Sequence, residues 1–245
     1  MSKAIRTDEG PGRLGSRLSG LAVALGCVLF LGGFVWGAVL YQPYTVPTDS
    51  MHPTVPSGSR VLAQRVDGSE VRRGDVVVFQ DSVWGAVPMV KRVVGVGGDK
   101  VACCDRGGRL TVNGKSVEEP YLRSRGADSQ RPFDGTEIPR GKLFLLGDNR
   151  MESLDSRVHL EDADHGAVPR TAVKGRVEAV AWPLGSLGML PEATGFAALP
   201  ESTSERGPLP LVLTAVVVGA VLVLGGAAYG PIARRIASSA RGRSG

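Results

Sequence analysis

The stretch Gly74–Val96, GDVVVFQDSVWGAVPMVKRVVGV, holds two short valine-rich runs separated by the turn formers Asp, Gly and Pro. Runs of this length and β-branched content read as strands rather than as helices. The same pattern recurs in RVLAQRV (Arg60–Val66), RLTVNG (Arg109–Gly114), KLFLLG (Lys142–Gly147) and KGRVEAVAWPL (Lys174–Leu184). No part of the middle of the chain keeps a helical period, and Arg123–Pro139, poor in apolar residues, reads as a long surface loop. The expected fold is mainly β, with bent antiparallel sheets or a partly open barrel.

Outward from this region the composition changes. No charged residue stands between Arg17 and Asp49, and Leu21–Leu40 within that gap is long enough to cross a bilayer. A second uncharged run, Gly207–Ala233, contains the candidate span Leu211–Tyr229. The first run exceeds the length of an ordinary signal-peptide core and carries only a weak small-residue cleavage pattern in VWGAVLYQP, so an uncleaved anchor is the favoured reading over a removable signal. The chain therefore divides into an N-terminal tail (1–20), a span (21–41), a β-rich outer domain (42–200), a polar linker (201–210) within LPESTSERGPLP, a second span (211–230) and a basic tail (231–245).

The formal charge of +5 lies wholly in the tails: residues 1–41 hold four basic and two acidic side chains, residues 209–245 hold four basic and none acidic, and the middle holds 21 against 22. This is the asymmetry that keeps both ends in the cytoplasm, and a near-neutral middle argues against nucleic-acid binding. Cys103 and Cys104 are adjacent in the outer domain, free to pair with each other, with a partner or not at all, while Cys27 lies inside the first span. No His or third Cys stands at zinc spacing from the pair, so neither metal nor cofactor is expected.

Candidate chemistry centres on VPTDSMHPT (Val46–Thr54). A histidine triad with Ser50 is disfavoured, because His52 is too close in sequence and His159 and His165 lie in the polar stretch HLEDADHG. Lys91, at the head of an apolar strand, is an alternative base if burial lowers its pKa; from this fragment alone, a surface lysine with its stem on the sheet is the favoured reading. GDNRMESLDSR (Gly147–Arg157) follows an apolar strand with two arginines alternating with two aspartates, the mark of a loop tied by ion pairs and framing a site.

In this order, SMHPT, RRGDVVVF, VKRVVGVGGD and GDNRMESLDSR resemble the successive motif boxes of bacterial type I signal peptidases, membrane-anchored serine proteases with a Ser/Lys dyad. The resemblance covers about Val46 to Val158 and implies Ser50 as nucleophile, Lys91 as general base and Ser153 as the serine that orients the lysine. It further implies that Thr48 assists the oxyanion hole, that Asp148, Arg150, Asp155 and Arg157 shape the site, and that Met51 and Pro53 border the substrate groove. Exported preproteins would be the substrates, cut after small residues on the outer face of the cytoplasmic membrane, among membrane lipids and near the secretion translocon. Asp49 departs from the glycine many members have before the nucleophile, although some Gram-positive-type members carry an acidic residue there. The short spacing from Lys91 to Gly147 resembles the compact Gram-positive type, and a second C-terminal span is a minority arrangement seen in some actinobacterial members. Two other classes fit the same fragments: a dedicated Ser/Lys processing protease, and a catalytically impaired β domain that binds signal-like peptides, which Asp49 keeps open.

The charge asymmetry makes a topological prediction: residues from about 45 to 205 lie outside and both termini inside. Protease added to intact spheroplasts should digest the middle and spare a C-terminal tag. Loss of the tag would refute two spans.

Overall fold

The computed structural model describes residues 11–85, 87–122, 130–200 and 204–241. The chain separates into a helical unit, Met1–Val39 with Pro208–Gly245, and a β unit, Leu40–Gly207. The N-terminal basic residues Lys3 and Arg6 and the C-terminal Arg243, on which the topology reading partly rests, lie outside the described residues, as do residues 123–129 of the expected surface loop.

The helical unit consists of α1 (Pro11–Leu40) and α2 (Leu209–Arg241). Their segments Arg17–Leu40 and Leu209–Tyr229, with mean hydropathies of 2.3 and 2.5, are long and apolar enough to cross a membrane. Small residues let the two backbones meet. A side chain at Gly26 would collide with the Gly219 carbonyl and the Val223 amide, and Ser19 Oγ donates to the Gly226 carbonyl at 2.7 Å. Without a hydrophobic driving force in lipid, such close backbone packing is what holds helices together.

In the β unit the strands are β1 (Tyr41–Val46), β2 (Ser59–Gln64), β3 (Val76–Phe79), β4 (Met89–Val96), β5 (Lys100–Cys103), β6 (Leu110–Val112), β7 (Lys115–Ser116), β8 (Phe133–Glu137), β9 (Lys142–Leu146), β10 (Val168–Pro169), β11 (Val173–Trp182) and β12 (Gly188–Met189). Among the described residues they form a curled eight-stranded sheet, in the order β1-β2-β11-β3-β4-β9-β10 with β12 on β11, and a four-stranded sheet, β7-β6-β5-β8. The pairs joining consecutive strands in both orders, and β12 to β11, are antiparallel.

Each expected strand segment forms a strand, and the mainly β reading holds. One detail is corrected: Phe133–Glu137, read as part of a loop, is β8, paired along β5 with its mostly half-buried or exposed side chains giving no apolar pattern. Polar sequence hides an edge strand whose partner satisfies only its backbone.

Alternation along the central strands feeds separate cores. Val76 and Val78 of β3 pack with Val61, Val90 and Val177, whereas Val77 and Phe79 join Val93, Leu143 and Leu145 on the other face. Phe144 and Leu146 of β9 face a third cluster with Val101, Leu110, Ile138 and Phe196 under the small sheet. Because side chains alternate with a period of two, both faces of β3 and β9 can be buried only if each is covered, and this explains their uninterrupted apolar sequences. Register shifts at three places along β11 and at Val93/Gly95 in β4 are the irregularities that bend a sheet of this kind.

Both ends of the β unit converge on one carboxylate: Tyr41 Oη donates to Glu178 Oε2 at 2.8 Å, and the Gly207 amide donates to Glu178 Oε1 at 2.8 Å. Cys103 and Cys104, whose pairing the sequence left open, are bridged to each other at the end of β5.

Candidate active site

Ser50 sits in the loop joining β1 to β2. That loop is closed by the Gly58 amide on the Val46 carbonyl at 2.7 Å and by the Val55 amide on the Met51 carbonyl at 2.9 Å. Met51, expected to border the substrate groove, is instead fully buried at 0% exposure with Val46, Val55 and Val61. Its long apolar side chain anchors the loop; Pro53, two residues on, is exposed.

Lys91 projects from the middle of the sheet, on β4 between β3 and β9, and is 4% exposed. Its Nζ donates to Ser50 Oγ at 2.7 Å, and Thr48 Oγ1 lies 3.2 Å from the same oxygen. Burial lowers the Lys91 pKa to about 8, against the opposing pull of Asp155 and Asp148, while Arg157 adds to the lowering. The histidines bond elsewhere. His52 Nδ1 lies 3.7 Å from the Asp49 carboxylate, His159 stacks on Trp84 and meets Asp162, and His165 meets the Leu160 carbonyl.

The Gly147–Arg157 loop closes the site from the β9 side. The Asn149 amide donates to the Ser50 carbonyl at 3.0 Å and Asn149 Nδ2 to the Asp49 carbonyl at 3.2 Å. At Gly147 any side chain would run into that same Ser50 carbonyl and into Ser153, so the close approach of the two loops requires glycine. Ser153, expected to orient Lys91, is brought beside Gly147, where its buried hydroxyl makes no hydrogen bond to Lys91 and lies near Asp155.

The alternating arginines and aspartates pair only half as the sequence suggested. Arg157 binds Asp155 through Nε at 2.8 Å and Nη2 at 2.7 Å, within the loop. Burial pushes the Asp155 carboxyl up, but the Arg157 contacts and the Gly147 amide outweigh it and hold the pKa below the usual range. Asp148 and Arg150 take partners from outside. Asp148 accepts both arms of Arg92, at 2.8 and 2.7 Å, and the Thr54 hydroxyl at 2.5 Å; Arg150 forks onto Glu119 and reaches Gln130 at 2.6 Å. Arg92, Thr54, Glu119 and Gln130 were missed by sequence reasoning. The charge of Arg92 inside an apolar run was the one available sign, since a buried guanidinium demands a carboxylate.

A serine hydroxyl held against a desolvated amine can be deprotonated and can attack a carbonyl carbon. Residues 18–182 match the family described as "Signal peptidase, peptidase S26". A relative from Mycobacterium tuberculosis (strain CDC 1551 / Oshkosh), named signal peptidase I, is 32% identical over 240 residues, covering 77% of this chain and 81% of its own. Another of the same name, from Bacillus licheniformis, is 34% identical over 159 residues, covering 61% and 81%. A crystal structure of a signal peptidase I from Enterococcus faecalis V583 aligns with a TM-score of 0.36 and 28% identity over 43% of this chain and 95% of that one.

The Arg92–Asp148 pair is buried on both sides, with side-chain exposures of 1% and 0%. Arg92→Met should therefore cost about 3–5 kcal/mol by stranding a carboxylate, and adding Asp148→Leu should recover part of that loss. Urea unfolding in detergent, followed by tryptophan fluorescence, measures both. A double variant no more stable than Arg92→Met would contradict the stranded-charge account.

Proposed function

Since the chain belongs to the signal peptidase family, peptidase S26, we propose that it is a membrane-bound serine endopeptidase that removes N-terminal signal peptides from exported preproteins. The observation that carries this reading is the 2.7 Å contact between Ser50 Oγ and the buried Lys91 amine. Neutral Lys91 takes the hydroxyl proton as Ser50 Oγ bonds to the scissile carbonyl carbon. Thr48 and the Ser50 N–H receive the oxyanion. The carbon–nitrogen bond breaks as Lys91 passes its proton to the leaving amine, and water, deprotonated in turn by Lys91, hydrolyses the acyl-enzyme. Asp148, Arg150, Asp155 and Arg157 act through the position of the loop that borders Ser50, which also carries Ser153.

Cleavage follows a small residue, in an Ala-X-Ala-like pattern. The basic tails set the orientation: both termini are cytoplasmic and the β unit is extracytoplasmic, near the translocon and the lipid surface from which preproteins arrive. The span α1 ends at Leu40, so a tether of only ten residues links it to Ser50.

Only the neutral amine accepts a proton, and Lys91 is protonated below about 8, so cleavage should rise as pH passes upward through that value. Ser50→Ala, Lys91→Ala and the double variant should fall to a similarly low rate, since nucleophile and base act as a unit. Lys91→Arg should fold and stay inactive at every accessible pH, because a guanidinium does not deprotonate. His52→Ala, His159→Ala and His165→Ala should each keep most activity. Preprotein cleavage in detergent across pH, with circular dichroism as the folding control, tests all of these. An active Lys91→Arg, or a histidine variant that folds yet cleaves nothing, would overturn the assignment.

A further inference from the structure

The Gly147–Arg157 loop borders the nucleophile and also carries the two carboxylates that pull the Lys91 pKa upward. Its middle residue of opposite charge, Arg150, is 3% exposed and donates through Nε to the Gly147 carbonyl at 3.1 Å. The Arg150 carbonyl accepts Arg157 Nη2 at 2.7 Å, so Arg150 touches both ends of the loop. What holds Arg150 comes from Glu119–Tyr121, a segment outside all four motif fragments. Glu119 accepts both arms of the guanidinium, and the Tyr121 hydroxyl donates to its Oε1 at 2.6 Å. The Tyr121 ring lies under Arg92, with Cζ 3.8 Å from the ring centroid, and Arg92 in turn grips Asp148. Two adjacent, buried side chains therefore contact the separate anchors of Asp148 and of Arg150.

We propose that Glu119 and Tyr121 are positioning residues for the Ser50–Lys91 pair, acting through Arg150 and Arg92 on the loop and touching neither reacting group. The inference rests on the peptidase reading for its kinetic part and on the fold alone for its structural part. Burial by itself would push the Arg150 pKa down, but the Glu119 carboxylate more than offsets this and raises it, so Arg150 stays charged and needs a counter-charge. Without one, the guanidinium keeps only Gln130 and the Gly147 carbonyl and has every reason to move toward water. Moving it drags the loop, alters the fit of Gly147 on Ser50, and carries Asp148 and Asp155 away from Lys91.

The test compares Glu119→Gln, Glu119→Asp and Tyr121→Phe in the full chain in detergent. Glu119→Gln should lower kcat roughly ten- to hundredfold, the scale of a small misplacement at a reacting pair, while KM changes by no more than about twofold. Its alkaline-rising limb should move to lower pH, because the carboxylates of Asp155 and Asp148 no longer raise the Lys91 pKa, and the opposing pull of Arg157, lost with them, is the smaller effect. Glu119→Asp, which keeps the charge, should return the limb toward that of the unaltered chain, and Tyr121→Phe, which keeps the ring on Arg92, should show a smaller loss in the same direction. Amide hydrogen exchange over residues 147–157 should quicken in Glu119→Gln while β3 and β11 stay protected. A Glu119→Gln protein that is less stable but keeps its kcat, pH limb and loop exchange would reduce these residues to ordinary core supports and overturn the proposal. If Glu119→Gln does not fold, Tyr121→Phe is judged by the same criteria. If the unaltered chain cleaves no preprotein, the peptidase reading fails, and unchanged or quickened loop exchange still decides this inference.

Discussion

An amine whose pKa is drawn down to about 8 beside a serine hydroxyl is the constraint from which the rest of this structure follows. Lys91 reaches that state by burial in the centre of a sheet, where removal from water disfavours its charge. The same burial must not be so complete that the hydroxyl is excluded, so the chain brings Ser50 to the lysine on a loop anchored by fully buried Met51 and Val55. The strands on either side of β4 therefore have to be apolar on both faces, and the clusters around Val76, Val77 and Phe144 supply that cover.

The carboxylates nearby oppose this arrangement. Asp148 and Asp155 would raise the lysine's pKa much further if they were uncompensated, and each is neutralised by a forked arginine, Arg92 and Arg157. Isolated charges at such depth are costly, whereas paired and hydrogen-bonded ones are tolerable. The pairs also give direction: a planar guanidinium meeting a carboxylate with two parallel bonds fixes orientation as well as distance. The loop that borders Ser50 is thus held by geometry-specific contacts rather than by apolar packing, which could slide. Arg150 extends the same logic outward to Glu119 and Tyr121.

The strands were legible because valine-rich runs between turn residues admit one reading, and the two apolar helices were legible from length and the absence of charge. Ser50, Lys91 and the acidic–basic loop stood out through their order along the chain. What the sequence concealed was pairing at a distance. Nothing local marks Glu119 as the partner of Arg150, thirty-one residues away, or separates the aspartate that pairs inside its loop from the one that reaches β4. Met51 adjoins the nucleophile, and its packing against Val46, Val55 and Val61 from within a loop leaves no periodic mark in the sequence. Strand β8 was invisible because its residues other than Phe133, which stacks on Phe144, are polar or glycine, and backbone pairing leaves no trace in composition.

The central claim, that burial lowers the Lys91 pKa to about 8 and so supplies a neutral fraction able to act as base, is tested most directly by titrating that one group. Nuclear magnetic resonance of the detergent-solubilised chain with labelled lysine side chains, assigned by loss of a peak in Lys91→Arg, follows its ionisation. The account predicts a midpoint of about 8 for Lys91, well below the ordinary lysine value of about 10.4. A Lys91 midpoint at or above that ordinary value would mean that the amine stays charged beside Ser50, and the lysine could not be the base.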